Sequence, residues 1–208
     1  MNQFRLLSIV LLTLLVGVAG CSVSNTEIAA TVPNDRIDTA TASNPDQALI
    51  DRAGAPLFEG MGNHQHKITT SDPGAQRYFD QGLTLAFAFN HAESIRSFKA
   101  AQRLDPQCAM CFWGEALATG PNINVTSKGQ VIMSEAERVN AFAALQSAVA
   151  LKDQVSVVEQ NYIEALQARY NGKINAGRDG LDEQYATAMG GLAAAYPEDM
   201  DAAALYAE

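Results

Sequence analysis

The chain has 208 residues, with 14 Lys and Arg against 23 Asp and Glu and 48% hydrophobic residues. That length suits one domain with appendages, and the apolar content excludes disorder throughout. A net charge of −9 argues against nucleic-acid binding, which needs clustered Lys and Arg to neutralise phosphates. Three cysteines are too few for a disulfide scaffold.

The N-terminus reads as an address. Met1 to Arg5 is a short basic stretch, and Leu6 to Val18 is an apolar run too short to span a bilayer comfortably. It ends in Val18-Ala19-Gly20-Cys21, which resembles the bacterial lipobox: small residues before a cysteine that is lipidated and becomes the first residue of the mature chain. The resemblance implies a signal peptide over 1–20 and a lipid, palmitate included, on Cys21. Ser22 follows, where Asp would resemble the inner-membrane retention signal. The implied destination is the outer membrane, facing the periplasm, held by acyl chains that each bury many CH₂ groups. Removing residues 1–20 takes away Arg5 alone among the charges, leaving 13 Lys and Arg against 23 Asp and Glu, a net −10.

Residues 21–55 are rich in Ser, Thr, Asn, Asp and Ala, lack aromatic side chains and carry no helical or strand period. Such a segment buries too little to offset its ordering entropy, so it is expected to be a flexible tether. The folded domain is expected over 56–208. Its segments are Ala-, Leu-, Glu- and Gln-rich with helical spacing, and alternating runs are missing, so the expected class is all-α.

The first helix is predicted from about Ala75 to Phe89 with Tyr78, Gly82, Leu85 and Phe89 on one stripe, after the start signal Asp72-Pro73. The turn is Phe89-Asn90-His91, and Asn90 with Glu93 has capping-box spacing. The second helix, about His91 to Leu104, groups Ile95, Phe98 and Ala101. Asp105-Pro106 stops it and opens a third helix, which holds Cys108, Cys111 and Trp113 and ends near Gly120-Pro121. Periodicity resumes at Ser134–Leu151 (Val139, Phe142, Leu145, Val149), Val155–Tyr170 (Val158, Tyr162, Leu166, Tyr170) and Leu181–Tyr196. A last helix starts near Asp199, and the chain stops inside it without a polar closing helix. Solenoids need such a cap, so further repeats and exposed apolar residues at this end are expected.

The first two helices resemble a tetratricopeptide repeat (TPR), a 34-residue helix–turn–helix. With Gly82 on the repeat's glycine, Tyr78 takes the tryptophan place, Leu85 the tyrosine place and Ser94 the small place of the second helix. Phe98, Ala101 and Pro106 fall on the phenylalanine, later alanine and terminal proline; Gln81 departs, where leucine is usual. Small Gly82 and Ser94 suit the line where the helices touch, and Tyr78, Leu85 and Phe98 suit the space around it. Adding 34 maps Tyr78 to Phe112 and Gly82 to Ala116, before the register breaks at Gly120-Pro121-Asn122-Ile123-Asn124. Over about residues 56–125 the chain also resembles a group of bacterial exported TPR-containing proteins, through Leu57–His66, Phe89-Asn90-His91, Asp105–Gly114 and Gly120–Asn124. The resemblance implies a TPR-like superhelix of stacked hairpins. It brings no activity with it.

Two residue sets point to chemistry. In Asn63-His64-Gln65-His66, an extended backbone turns both imidazoles to one side, a chelating arrangement for Cu²⁺, Zn²⁺ or Ni²⁺. Cys108-Ala109-Met110-Cys111 adds two soft ligands, so His64, His66, Cys108 and Cys111 together could hold zinc or Cu(I) if the loop folds over the third helix. The bland readings are a hydrogen-bonded loop and half-buried small side chains. The cysteine pair at a helix start also allows thiol–disulfide exchange or a simple disulfide, although the βαβ context of thioredoxins is missing. His91 is expected beside the helix cap, and Gly120–Asn124 as a turn between helices. There is no G-x-S-x-G, H-E-x-x-H or Walker pattern, and Asp182-Glu183 suits a polar face. No catalytic residue is expected. The function these features imply is a membrane-anchored scaffold whose concave groove takes an extended peptide or partner helix, basic or neutral in charge. A copper- or zinc-binding protein and a thiol–disulfide redox protein are the alternatives.

Overall fold

The computed structural model describes residues 44–122, 134–170 and 180–208. The expected signal peptide, Cys21, most of the expected tether and part of the expected Gly120–Asn124 turn lie outside these residues. Among the described residues there are helices and no strands: α1 Gln47–Ala53, α2 Pro73–Phe87, α3 His91–Leu104, α4 Ala109–Thr119, α5 Glu135–Leu151, α6 Val157–Gln167, α7 Leu181–Ala195 and α8 Met200–Ala207. None is long and apolar enough to cross a membrane.

Local chemistry sets the helix ends. Asp72 caps α2, accepting from the amides of Gly74 at 2.7 Å and Ala75 at 3.3 Å, and Pro73 occupies the first turn, where its missing N–H costs nothing. Ser134 and Ser156 open α5 and α6 with complete capping boxes to Glu137 and Glu159. The predicted box of Asn90 and Glu93 does not form: the Asn90 side chain makes no cap bond. Phe89 before it takes a left-handed φ of 58° and is 54% exposed. It therefore leaves the predicted stripe, whose other members Tyr78, Gly82 and Leu85 are buried.

Helices pair in order. α2 packs with α3, α4 with α5 and α6 with α7, while α2 meets α4 and α4 meets α6 across successive hairpins. The result is a stack of helical hairpins. At its first interface Ser94 donates to the carbonyl of Gly82 at 2.7 Å, and a Cβ on Gly82 would lie 2.9 Å from the Phe98 ring. Gly114 of α4 approaches the same ring from the next hairpin, more closely still. Phe98 is thus held between two glycines, with Phe79 edge-on at 5.4 Å. On α5 the buried residues are Ala141, Ala144, Leu145 and Ala148. Of the large residues expected there, Leu145 is buried, Phe142 and Val149 are half-buried and Val139 is 39% exposed; the alanines between them let α4 and α5 come close.

Two departures concern the segment before α2. The expected tether is already helical at Gln47–Ala53. Seven residues cannot hold a helix alone; here Gly54 closes it with φ 62°, Arg103 donates to the Ala53 carbonyl at 2.6 Å, and Arg77 grips Asp46 at two 2.7 Å contacts. Residues 55–71 then run as an irregular arm along α2. Tyr78 donates its hydroxyl to the Ala55 carbonyl at 2.6 Å. Gln81 accepts from the Phe58 amide at 2.7 Å and donates to the Pro56 carbonyl at 3.1 Å. Gln76 accepts from the Ile68 amide at 3.0 Å and donates to the His66 carbonyl at 2.9 Å, and Asp80 accepts from the His66 amide at 3.0 Å. Gln81, which departs from the leucine of the expected repeat, thus serves this arm through its amide.

The end of the arm is tied at Asp105, which accepts from the Thr70 hydroxyl at 2.6 Å and from the amides of Ser71 and Gln107 at 3.0 Å each. Burial pushes the Asp105 carboxyl up, but these hydrogen bonds outweigh it and hold its pKa below the ordinary 3.8. A depressed carboxyl stabilises the fold above its unfolded pKa, and that contribution disappears as pH falls through the folded value. Asp105→Asn is therefore expected to cost about 1–3 kcal/mol near neutral pH. Urea midpoints of the two proteins should converge as pH falls below 3.8; a gap that persists undiminished would contradict this.

Candidate functional site

The arm carries His64 and His66 to the N-terminus of α8. His66 Nδ1 lies 2.7 Å from Asp201 Oδ2, and His64 Nε2 lies 3.1 Å from Asp201 Oδ1. Both imidazoles thus share one carboxylate, 135 residues beyond His66 in the chain. The side chains of His66 and Asp201 are each 10% exposed, whereas His64 is 40% exposed and faces the outside.

Asp199 completes the group. As the cap of α8, it accepts from the amides of Asp201 and Ala202 at 3.1 Å each, and its other oxygen accepts the Tyr162 hydroxyl at 2.7 Å. One ligand atom each from His66, Asp199 and Asp201 lies within 4.8 Å of the other two. Tyr162 stands edge-on to His66 with ring centroids 5.3 Å apart. Burial, then the hydrogen bond to Asp199, raises the Tyr162 pKa well above its ordinary value, so the phenol stays a proton donor.

The electrostatics are lopsided. Asp80, Asp199 and Asp201 bring three carboxyls around two imidazoles, and among the described residues no Lys or Arg pairs with any of the three. Burial alone would lower the His66 pKa. The bond to Asp201 and the charges of Asp201, Asp199 and Asp80 more than reverse this, leaving it raised. Burial raises the Asp80 carboxyl against the hydrogen bonds from the His66 amide and Gln76. The site attracts positive charge.

The cysteines stand apart from it. Cys108 and Cys111 form a disulfide with each other at the start of α4, and both are fully buried. The expected four-ligand set of His64, His66, Cys108 and Cys111 is therefore not assembled: the sulfurs are joined to one another and the imidazoles turn to Asp201. In this state neither sulfur is a thiolate available for exchange. His91 follows the cap residue Asn90 as the first residue of α3, as expected; its ring lies edge-on to Phe89, and neither ring nitrogen has a hydrogen-bond partner among the described residues.

Reading the chain in order singles out His64 and His66 but misses Asp199 and Asp201. Their signal is an Asp-x-Asp at a helix start, a pattern that ordinary capping also produces. Beside the site, α2, α4 and α8 frame an apolar pocket of about 240 Å³ lined by Phe87, Phe89, His91, Leu117 and Leu205 among others. The chain matches no protein-family model, no curated protein and no solved structure.

Proposed function

We propose that this chain is a TPR-like scaffold, anchored by lipid at Cys21 to the outer membrane and facing the periplasm, which holds an extended peptide or a partner helix. The observation that carries the reading is the apolar pocket at the edge of the hairpin stack, where Phe87 and Phe89 stand 37% and 54% exposed. Large exposed aromatic side chains around a concavity suit an apolar anchor from a partner. The superhelical reading is supported by the contacts between alternate helices, α2 with α4 and α4 with α6, and by the use of Gly82, Ser94 and Phe98 at the first interface. Helix starts at 73, 109, 157 and 200 are more widely and less evenly spaced than a strict 34-residue repeat, so the repeats are irregular. The charge of the mature chain favours neutral or basic partners.

Displayed random peptides selected on the tag-free chain should converge on an apolar anchor flanked by neutral or basic residues. Phe89→Asp and Phe87→Asp, both on exposed side chains, should each weaken the selected peptides by about tenfold or more, the loss of a buried anchor at roughly 1.4 kcal/mol or above. No convergence, or binding indifferent to both substitutions, would remove the reading. The anchor is tested by labelled palmitate, whose incorporation should vanish in Cys21→Ala.

A further inference from the structure

We infer that His64, His66, Asp199 and Asp201 form a binding site for one divalent transition-metal ion of the zinc type, going beyond the scaffold reading and independent of it. Three observations converge on it. The first is the ligand set: imidazole nitrogens from the arm and carboxylate oxygens from the start of α8, with the atoms of His66, Asp199 and Asp201 already within 4.8 Å of one another and His64 3.1 Å from Asp201. Two nitrogens and two oxygens suit borderline divalent ions better than calcium or magnesium, which prefer oxygen alone, or Cu(I), which prefers sulfur.

The second is an excess of negative charge. Asp201 is 8% exposed, and the only basic groups paired with it among the described residues are the two imidazoles, with no Lys or Arg on Asp199 or Asp201. A divalent ion adds positive charge at the point where these carboxylates converge.

The third is the outer shell. The Tyr162 hydroxyl and the amides of Asp201 and Ala202 fix the Asp199 carboxylate, and Gln76 and Asp80 fix the backbone of His66 on both sides. Ligands held by such partners are already oriented, as metal-binding side chains are. Little needs to move. The direct bond between His66 and Asp201 would open from 2.7 Å to about 3.3 Å, the ligand–ligand separation in a tetrahedron with metal–ligand bonds near 2.0–2.1 Å. Half-exposed His64 borders a cavity of about 170 Å³ with Asn63 and Asp80, which gives the ion a route in from solvent. The ion would join the arm before α2 to the last helix, α8.

The test uses the full chain without a His tag, stripped of metal and titrated with zinc against a chromophoric chelator. One equivalent is expected to bind. His66→Ala and Asp201→Asn should each weaken it by at least about tenfold, since loss even of outer-shell partners does that much. His64→Gln alters only a half-exposed side chain and should also weaken binding while keeping the native circular dichroism, so it decides the matter if a core variant fails to fold. Zinc should raise the thermal midpoint of the wild type by more than that of His64→Gln. Cobalt as the probe should give visible bands without thiolate-to-metal charge transfer. The inference falls if no stoichiometric zinc binds, if folded His64→Gln and Asp201→Asn bind as the wild type does, or if cobalt reports thiolate ligands.

Discussion

Gly114→Ala should destabilise the protein by about 2 kcal/mol or more, although it replaces the poorest helix former short of proline with the best. Helix propensity alone would favour the change by about 1 kcal/mol. A Cβ at this position, however, would enter the van der Waals envelope of Phe98, which is fully buried and closed on its other side by Gly82. The ring cannot retreat, because a Cβ on Gly82 would itself meet it at 2.9 Å and Phe79 stands edge-on to it at 5.4 Å. Overpacking of a filled site costs about 1–3 kcal/mol and sometimes more. Gly82→Ala should cost less, its nearest approach being the longer one.

A double-mutant cycle makes this sharper. Phe98→Ala on its own should cost about 3–5 kcal/mol through the cavity it leaves. In that background Gly114→Ala has room, so its effect should change sign and become neutral or stabilising. Urea unfolding of the four proteins measures the coupling. If Gly114→Ala stabilises the wild type, the two hairpins are not in close contact through Phe98.

The same pair of glycines separates what a linear reading reaches from what it does not. Gly82 was legible because its partners, Ser94 and Phe98, lie within the same hairpin at fixed spacing. Gly114 was not, since nothing local distinguishes a glycine that receives a ring from a neighbouring hairpin from one merely tolerated in a helix. The bounds of α3 came out as expected, set by Asn90 before it and Asp105 after it. The third helix instead starts at Ala109, with Cys108 as its cap, because Asp105, Pro106 and Gln107 form a turn before it. The site divides likewise. His64 and His66 announce themselves by their spacing, but their carboxylate partner is 135 residues away from His66, and no short-range period encodes that distance. The arm from 55 to 71 was invisible for a related reason: it has no periodicity, and its order comes from Gln76, Asp80 and Gln81, polar residues that look like the solvent face of α2. Composition suggested a tether up to residue 55, yet Gln47–Ala53 is helical because Arg77 and Arg103 from the hairpin hold both its ends.

Trp113→Ala should cost about 3–5 kcal/mol, the range for removal of a buried aromatic side chain, before the carbonyl it leaves unmet is counted. Trp113 is 2% exposed and joins two hairpins. Its ring leans on Phe79 of α2 at 6.4 Å and meets Tyr162 of α6 edge-on at 5.4 Å, and its Nε1 donates to the Tyr162 carbonyl at 3.1 Å. Truncation therefore empties the largest buried volume and also deprives a buried carbonyl of its partner, which adds about 1–3 kcal/mol if water cannot reach it. Trp113→Phe should recover most of the packing and leave the carbonyl unmet, separating the two contributions. The effect should extend to the candidate metal site, because Tyr162 is the shared neighbour: it packs on Trp113, stands edge-on to His66 and orients Asp199. Trp113 is the single tryptophan of the chain, so its emission should be blue-shifted in the native wild type and move to the red at unfolding. Tyr162→Phe provides the converse check. It keeps the ring against Trp113 and removes only the hydroxyl, so it should lower the stability by about 1 kcal/mol and leave the native emission unchanged. A large spectral shift in that variant would mean that the hydroxyl bond to Asp199, and not the Tyr162 ring and carbonyl alone, fixes the surroundings of Trp113.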